Sequence, residues 1–215
     1  MKRPFSLVAF ALVVLLAQRP ADLSAQLFSG MGDAVAGEDA VSIGLLYGKM
    51  SPQTTFRDGG GFDSSSLMGL SVSFWAARYL GFQLSFFNTE HVGLLATDGR
   101  ASVVSGRDPK IQTYLFDAIG RLPLRSTEAI SFAPFVALGG GFKSYDFAWD
   151  TKGGPDARGL DLSWSTAVGA EARFGPMHRF GVRGEYRDLR TPMDRWGDEL
   201  THQDRVFTGG LLFNF

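Results

Sequence analysis

The chain has no cysteine and only three histidines. The first absence excludes a disulfide framework and any thiolate metal site. The second leaves so few imidazoles that acid–base and metal chemistry can be checked residue by residue. Charge of one sign is lacking as well. With 21 basic residues against 22 acidic ones, the net is -1, and no basic surface for nucleic acid is indicated. Beyond the N-terminal segment, no apolar run reaches the ~20 residues that a membrane-spanning helix needs.

What is present begins at the N-terminus. Lys2 and Arg3 precede an apolar run from Phe5 to Ala17, followed by polar residues and Leu23-Ser24-Ala25. This is the three-part layout of a secretory signal, and the run is too short for a spanning helix. Cleavage after Ala25 is expected. It removes three basic residues (Lys2, Arg3, Arg19) and one acidic residue (Asp22) from 21 and 22, leaving 18 against 21. Residues 26–39 read as a short periplasmic lead-in, and 40–215 as one domain.

That domain is built from segments of alternating character separated by turn-forming residues. Strands are expected near 40–50, 66–75, 80–88, 111–121, 130–142, 163–174, 179–188 and 205–215. Their connections alternate in length. Segments 51–65, 89–110, 143–162 and 189–204 are long and polar, whereas 76–79, 122–129 and 175–178 are shorter. An even number of strands with long loops at one end and short turns at the other is the pattern of an outer-membrane barrel. Glycine is abundant, 27 residues against an average usage of ~7%.

The two faces of these strands differ in kind. In RFGVRGEYRD, Phe180, Val182 and Tyr186 share one face, and Arg183, Glu185 and Arg187 share the other. Val168, Ala170, Ala172 and Phe174 oppose Gly169, Glu171 and Arg173. Leu80, Phe82, Leu84 and Phe86 oppose Gly81, Gln83 and Ser85, and Tyr114, Phe116 and Ala118 oppose Thr113, Asp117 and Arg121. Small residues beside opposed charges suit a narrow lumen, where each buried charge needs a partner. The apolar face then meets lipid, and closure follows because an open sheet edge is not tolerated in hydrocarbon. Aromatics near the segment ends (Trp75, Tyr79, Phe87, Tyr145, Phe147, Trp149, Trp164, Trp196) are expected to form the two interfacial girdles. The fold class is therefore all-β: an eight-stranded antiparallel up-and-down transmembrane barrel behind a cleavable signal peptide.

Four segments, APFVALGGGF (133–142), STAVGAEARF (165–174), RFGVRGEYRDL (179–189) and the closing GGLLFNF (209–215), resemble the small eight-stranded outer-membrane barrels of Gram-negative bacteria, the OmpA-like and OmpW-like group. The resemblance covers the later half of the domain; the earlier half matches in pattern. It implies that Leu211, Phe213 and Phe215 form an assembly signal, read by the barrel-assembly machinery as an added strand. It also implies an integral outer-membrane location, with both termini periplasmic and the long loops extracellular. Outer-membrane lipid and lipopolysaccharide would be the surroundings, and the protein a monomer.

The charges expected to line the lumen are Asp117, Arg121, Glu171, Arg173, Arg183, Glu185 and Arg187. An eight-stranded barrel is just wide enough inside for side chains to fill it. These charges are read as a salt-bridged plug, and the alternative is a narrow path for small or apolar solutes. His91 and His202 fall in expected long loops and His178 in a tight turn. The cluster of His202, Gln203 and Asp204 with Asp194, Asp198 and Glu199 is the one local grouping like a rim active site. It supplies no nucleophile-and-orienter set and reads as a solvated loop. Gly59–Gly61 and Gly139–Gly141 lack the Lys-Ser/Thr of a phosphate loop; the first reads as flexible, the second as close strand packing. Calcium-loop spacing is absent. No catalytic, cofactor-binding or metal-ligating residue is assigned. The expected role is structural and surface-interacting, not enzymatic, with lipid A modification the least favoured reading.

Overall fold

The computed structural model describes residues 41–53, 61–89, 94–95, 110–126, 129–146, 158–175, 178–195 and 198–215. The expected signal peptide and lead-in lie outside these, as do His91, Phe147, Trp149 and Trp196.

Eight long strands form the wall. They are β1 (Val41–Pro52), β2 (Ser65–Trp75), β3 (Leu80–Thr89), β4 (Lys110–Arg121), β5 (Ile130–Asp146), β6 (Arg158–Phe174), β7 (Phe180–Arg195) and β8 (Asp198–Asn214). Each pairs antiparallel with the next, and β8 pairs with β1, so the sheet closes on itself. A two-residue ladder, Gly61–Phe62 with Leu94–Leu95, joins the connections after β1 and β3.

The register fixes the stagger. Followed around the wall, Ser42 pairs with Ser73, Ser73 with Gln83, Gln83 with Asp117 and Asp117 with Gly139. Gly139 pairs with Ser165, Ser165 with Leu189, Leu189 with Asp204, and Asp204 with Pro52. The circuit leaves β1 at Ser42 and returns to it at Pro52, ten residues further along. That shear over eight strands corresponds to a strand tilt of ~40°. Residues that pair side by side therefore climb around the barrel like a spiral stair.

Alternation sorts the side chains as the faces predict. Leu45, Met68, Leu84, Phe116, Val136, Val168, Val182 and Leu211, from β1 through β8 in turn, all point outward and are exposed. A water-soluble monomer rarely exposes an apolar patch beyond a few hundred Å²; here the exposed apolar surface encircles the wall. On β8 the outward ladder from Phe207 to Phe215 rises roughly 20 Å, at ~3.3 Å per residue and that tilt. Polar residues then begin on several strands at a similar level: Lys49, Ser66, Asn88, Gln112 and Arg205.

Two sequence expectations are corrected. The expected loop 189–204 is largely strand, because β7 runs to Arg195 and β8 starts at Asp198, and the expected loop 143–162 is strand at both ends, because β5 runs to Asp146 and β6 starts at Arg158. Among the expected girdle aromatics, Tyr79 and Trp164 are exposed, but Trp75, Phe87 and Tyr145 are buried at inward positions. Their parity on the strand, rather than nearness to its end, decides where the rings go.

Candidate functional site in the lumen

The inward face is stacked in three levels. In the turn-side half, beside an apolar cluster of Trp75, Ile119, Phe135, Ala137 and Ala167, six charges form one alternating chain, Arg173–Glu171–Arg183–Glu185–Arg187–Asp117. Glu171 accepts from Arg173 and from Arg183, both at 3.0 Å. Glu185 accepts from Arg183 at 2.6 Å and from Arg187 at 2.7 Å. Arg187 donates to Asp117 at 2.7 Å and also reaches the hydroxyl of Ser165. The chain starts on β6 and β7 and ends on β4, so it crosses the lumen. A second crossing runs from Arg183 to the carbonyl oxygen of Gln83 on β3, at 2.7 Å, and Gln83 donates in turn to Ser85.

All six are buried. Three positive and three negative groups alternate, so no net charge is left in the low-dielectric interior. Placing such charges there is affordable only when every one is paired and hydrogen-bonded. Arg121, the seventh expected lumen residue, sits at the turn-side mouth. Its guanidinium stacks on Trp75, 3.9 Å from the ring centre, and donates to the Arg78 carbonyl.

Glycines make room for the rings that support this chain. Phe135 lies over Gly169, where a Cβ would come within 2.4 Å of Cζ, and Phe87 lies over Gly69. Arg183 stacks on Phe135 at 4.0 Å and Arg187 lies 5.8 Å from the centre of Phe87. The rings bind the guanidinium faces while the carboxylates take the edges. Gly139 and Gly141 pack against β4 so closely that a Cβ would strike the carbonyl oxygens of Phe116 and Tyr114. Close strand packing is thus the role of that triplet.

Above the ionic chain lies an apolar layer that includes Leu46, Met50, Leu67, Phe87, Leu115, Leu189 and Val206. It separates the two polar levels. Above it, Lys143 on β5 forms an ion pair with Asp204 on β8, across the lumen, with both side chains 1% exposed. Lys143 also lies 5.1 Å from the ring centre of Tyr145 and pairs in register with Asp161. Nearby, the hydroxyls of Ser163 and Thr191 are 2.7 Å apart, and Thr191 faces His202 in register.

This upper level corrects the sequence reading. His202 and Asp204 were expected in a solvated loop, yet both are buried inward positions of β8, while Gln203 between them points the other way. The expected grouping with Asp194, Asp198 and Glu199 is divided, since those residues stand at the far ends of β7 and β8. The available signal was the His-x-Asp spacing, which puts both side chains on one strand face. His178 lies in the β6–β7 turn with φ 50°, and its carbonyl accepts from Asn214 at 2.7 Å. The described residues hold no grouping of histidine and carboxylates able to ligate a metal.

No family model and no curated protein matches the chain. Solved structures do. The Neisserial surface protein A structure aligns with a TM-score of 0.54 at 11% identity, over 82% of this chain and 97% of that one. The chain has the fold of an eight-stranded outer-membrane β-barrel. Also similar are the outer membrane protein OprG of Pseudomonas aeruginosa, with a TM-score of 0.48, 16% identity and coverage of 85% and 99%, and the N-terminal β-barrel domain of OprF from the same organism, with a TM-score of 0.45, 16% identity and coverage of 83% and 99%. At such identities the likeness concerns the fold, and function has to be argued from this barrel's own residues.

Proposed function

We propose that the protein is a monomeric integral outer-membrane barrel with a structural and surface-interacting role, whose lumen is closed to ions and which performs no catalysis. The observation that carries this reading is the six-membered ionic chain from Arg173 to Asp117, which crosses the lumen beneath an apolar layer. An ion passing this point would have to break bonds between buried, mutually neutralised charges. In an eight-stranded wall the side chains have no room to swing aside.

In this reading the short turns and both termini face the periplasm and the long connections face outward. Lipid and lipopolysaccharide surround the apolar band. The outward residues Leu211, Phe213 and Phe215 of the last strand act as the assembly signal, presented to the insertase before β8 pairs with β1.

Conductance in planar bilayers tests the closed lumen. Purified barrel is expected to give no steady ion-conducting openings, and Arg183→Glu, which puts four negative groups against two positive ones, is expected to give flickering openings. Steady openings of the unaltered protein, abolished by Arg183→Glu, would overturn the plug in favour of a narrow channel.

A further inference from the structure

The outer wall carries a site that the lumen account does not use. Across β8, β7 and β6 the outward residues Gly209, Gly184 and Ala170 lie side by side in register. They form the floor of a groove of about 910 Å³ on the lipid-facing side. A Cβ at Gly184 would meet nothing within 4 Å, and one at Gly209 would meet only the Arg183 carbonyl oxygen, at 3.9 Å. These glycines serve no close packing within the protein, in contrast to Gly139 and Gly141.

One step higher, Tyr47, Phe207 and Tyr186 wall the groove, with the last two rings 4.7 Å apart. Another step higher stands a cationic cluster. Lys49 is the register partner of Phe207, Arg205 is the partner of Asp188, and Arg190 pairs with Asp188 at 3.3 Å. Lys49, Arg190 and Arg205 are all exposed on the outward face. Three positive groups against one carboxylate on neighbouring outward positions of β1, β7 and β8 give a net positive patch at the rim of the apolar band, above the groove.

Charge above and a greasy channel below are complementary to an anionic acyl lipid standing upright in the membrane. We infer that this face binds a phosphorylated acyl lipid of the outer leaflet, the lipid A portion of lipopolysaccharide, with a phosphate against Lys49 and Arg205 and an acyl chain laid over Gly209, Gly184 and Ala170. Arginine and lysine match phosphate oxygens with charge-assisted hydrogen bonds. The choice of lipid A over a periplasmic-leaflet phospholipid rests on the orientation proposed above, because the cluster lies on the side of the long connections.

The test uses the refolded barrel in phosphatidylcholine nanodiscs. It is titrated separately with bisphosphorylated lipid A, with lipid A stripped of phosphate and with phosphatidylglycerol, and retained lipid is counted by native mass spectrometry. Bisphosphorylated lipid A is expected to be retained. Loss of the phosphates, or the pair Lys49→Glu with Arg205→Glu, is expected to weaken retention ~10-fold or more. Gly184→Leu is expected to weaken it by filling the groove, without a clash, while Lys49→Arg with Arg205→Lys is expected to preserve it. Heat-modifiable gel migration of each variant checks that the barrel is intact. Retention unchanged by the charge reversals and by Gly184→Leu, or equal for phosphatidylglycerol, would overturn the site while leaving the barrel reading standing. Absence of heat-modifiable migration in the unaltered protein would overturn the barrel reading itself, and the site with it.

Discussion

Lys143 and Asp204 form an ion pair across the upper lumen, from β5 to β8, at positions separated around the wall by two intervening strands. The pair ties opposite sides of the barrel together above its apolar layer. Its two charges compensate each other, and removing one leaves the other buried without that partner.

The first prediction follows from that dependence. Asp204→Leu or Lys143→Met alone is expected to destabilise the barrel by about 3–5 kcal/mol, because one buried charge is left unpaired. The double variant is expected to recover most of the loss. Urea unfolding in lipid vesicles, followed by tryptophan emission, measures each. A double variant as unstable as the sum of the singles would show that the pair is not what holds these residues.

Two glycines on neighbouring strands, Gly169 of β6 and Gly184 of β7, are expected to respond differently to a methyl group. At Gly169 a Cβ would lie 2.4 Å from Phe135 Cζ and 2.4 Å from the Gly184 carbonyl oxygen. Gly169→Ala is therefore expected to cost about 1–3 kcal/mol through overpacking. Gly184→Ala meets open space and is expected to stay within ~0.5 kcal/mol of the parent. The same unfolding assay compares them, and equal losses would contradict the packing described.

The apolar exterior makes a prediction that differs from that for a soluble sheet. Leu84 on β3 points outward and is 47% exposed. Leu84→Arg is expected to destabilise the vesicle-inserted barrel by about 2–4 kcal/mol, the cost of a cation near the middle of a membrane. On a water-facing surface the same change would be neutral within ~0.5 kcal/mol.

The last strand permits a separation of assembly from stability. Phe215 is half exposed, and its backbone N–H donates to the Val41 carbonyl at 2.9 Å. Deleting it is expected to leave refolding in detergent nearly unchanged while sharply lowering the amount inserted in cells. Equal insertion of both forms in cells would remove Phe215 from the assembly signal.

Most of the wall was legible by one rule: the outward face of each strand is apolar within the membrane, while the small and charged residues of β2, β3, β6 and β7 mark the inward one. Phe180, Val182 and Tyr186 against Arg183, Glu185 and Arg187 show it plainly. The rule stops where the hydrocarbon stops. Along β7 and β8 the outward residues become Asp188, Arg190, Pro192, Thr201 and Gln203, so the apolar outward face ends and the alternation fades. With Pro192 and Gly197 present as well, that stretch carries every sign of a loop, although β7 and β8 stay paired from Leu189–Asp204 to Arg195–Asp198. The upper ion pair was hidden for the same reason. Lys143 and Asp204 are far apart in sequence, and only the shear of the barrel, ten residues per circuit, brings them face to face. Inward aromatics were misplaced because nearness to a segment end cannot tell a girdle ring from a lumen ring; parity can, once the register is known.

The dependence of folding on an amphiphile tests the central claim most directly. Residues 26–215 are diluted from urea with and without phospholipid vesicles or detergent micelles, and each product is examined by circular dichroism, light scattering and unboiled gel migration. A β-sheet spectrum with a fast-migrating, heat-sensitive band is expected only when the amphiphile is present. A monodisperse, folded monomer in plain buffer would contradict an exterior built to face hydrocarbon.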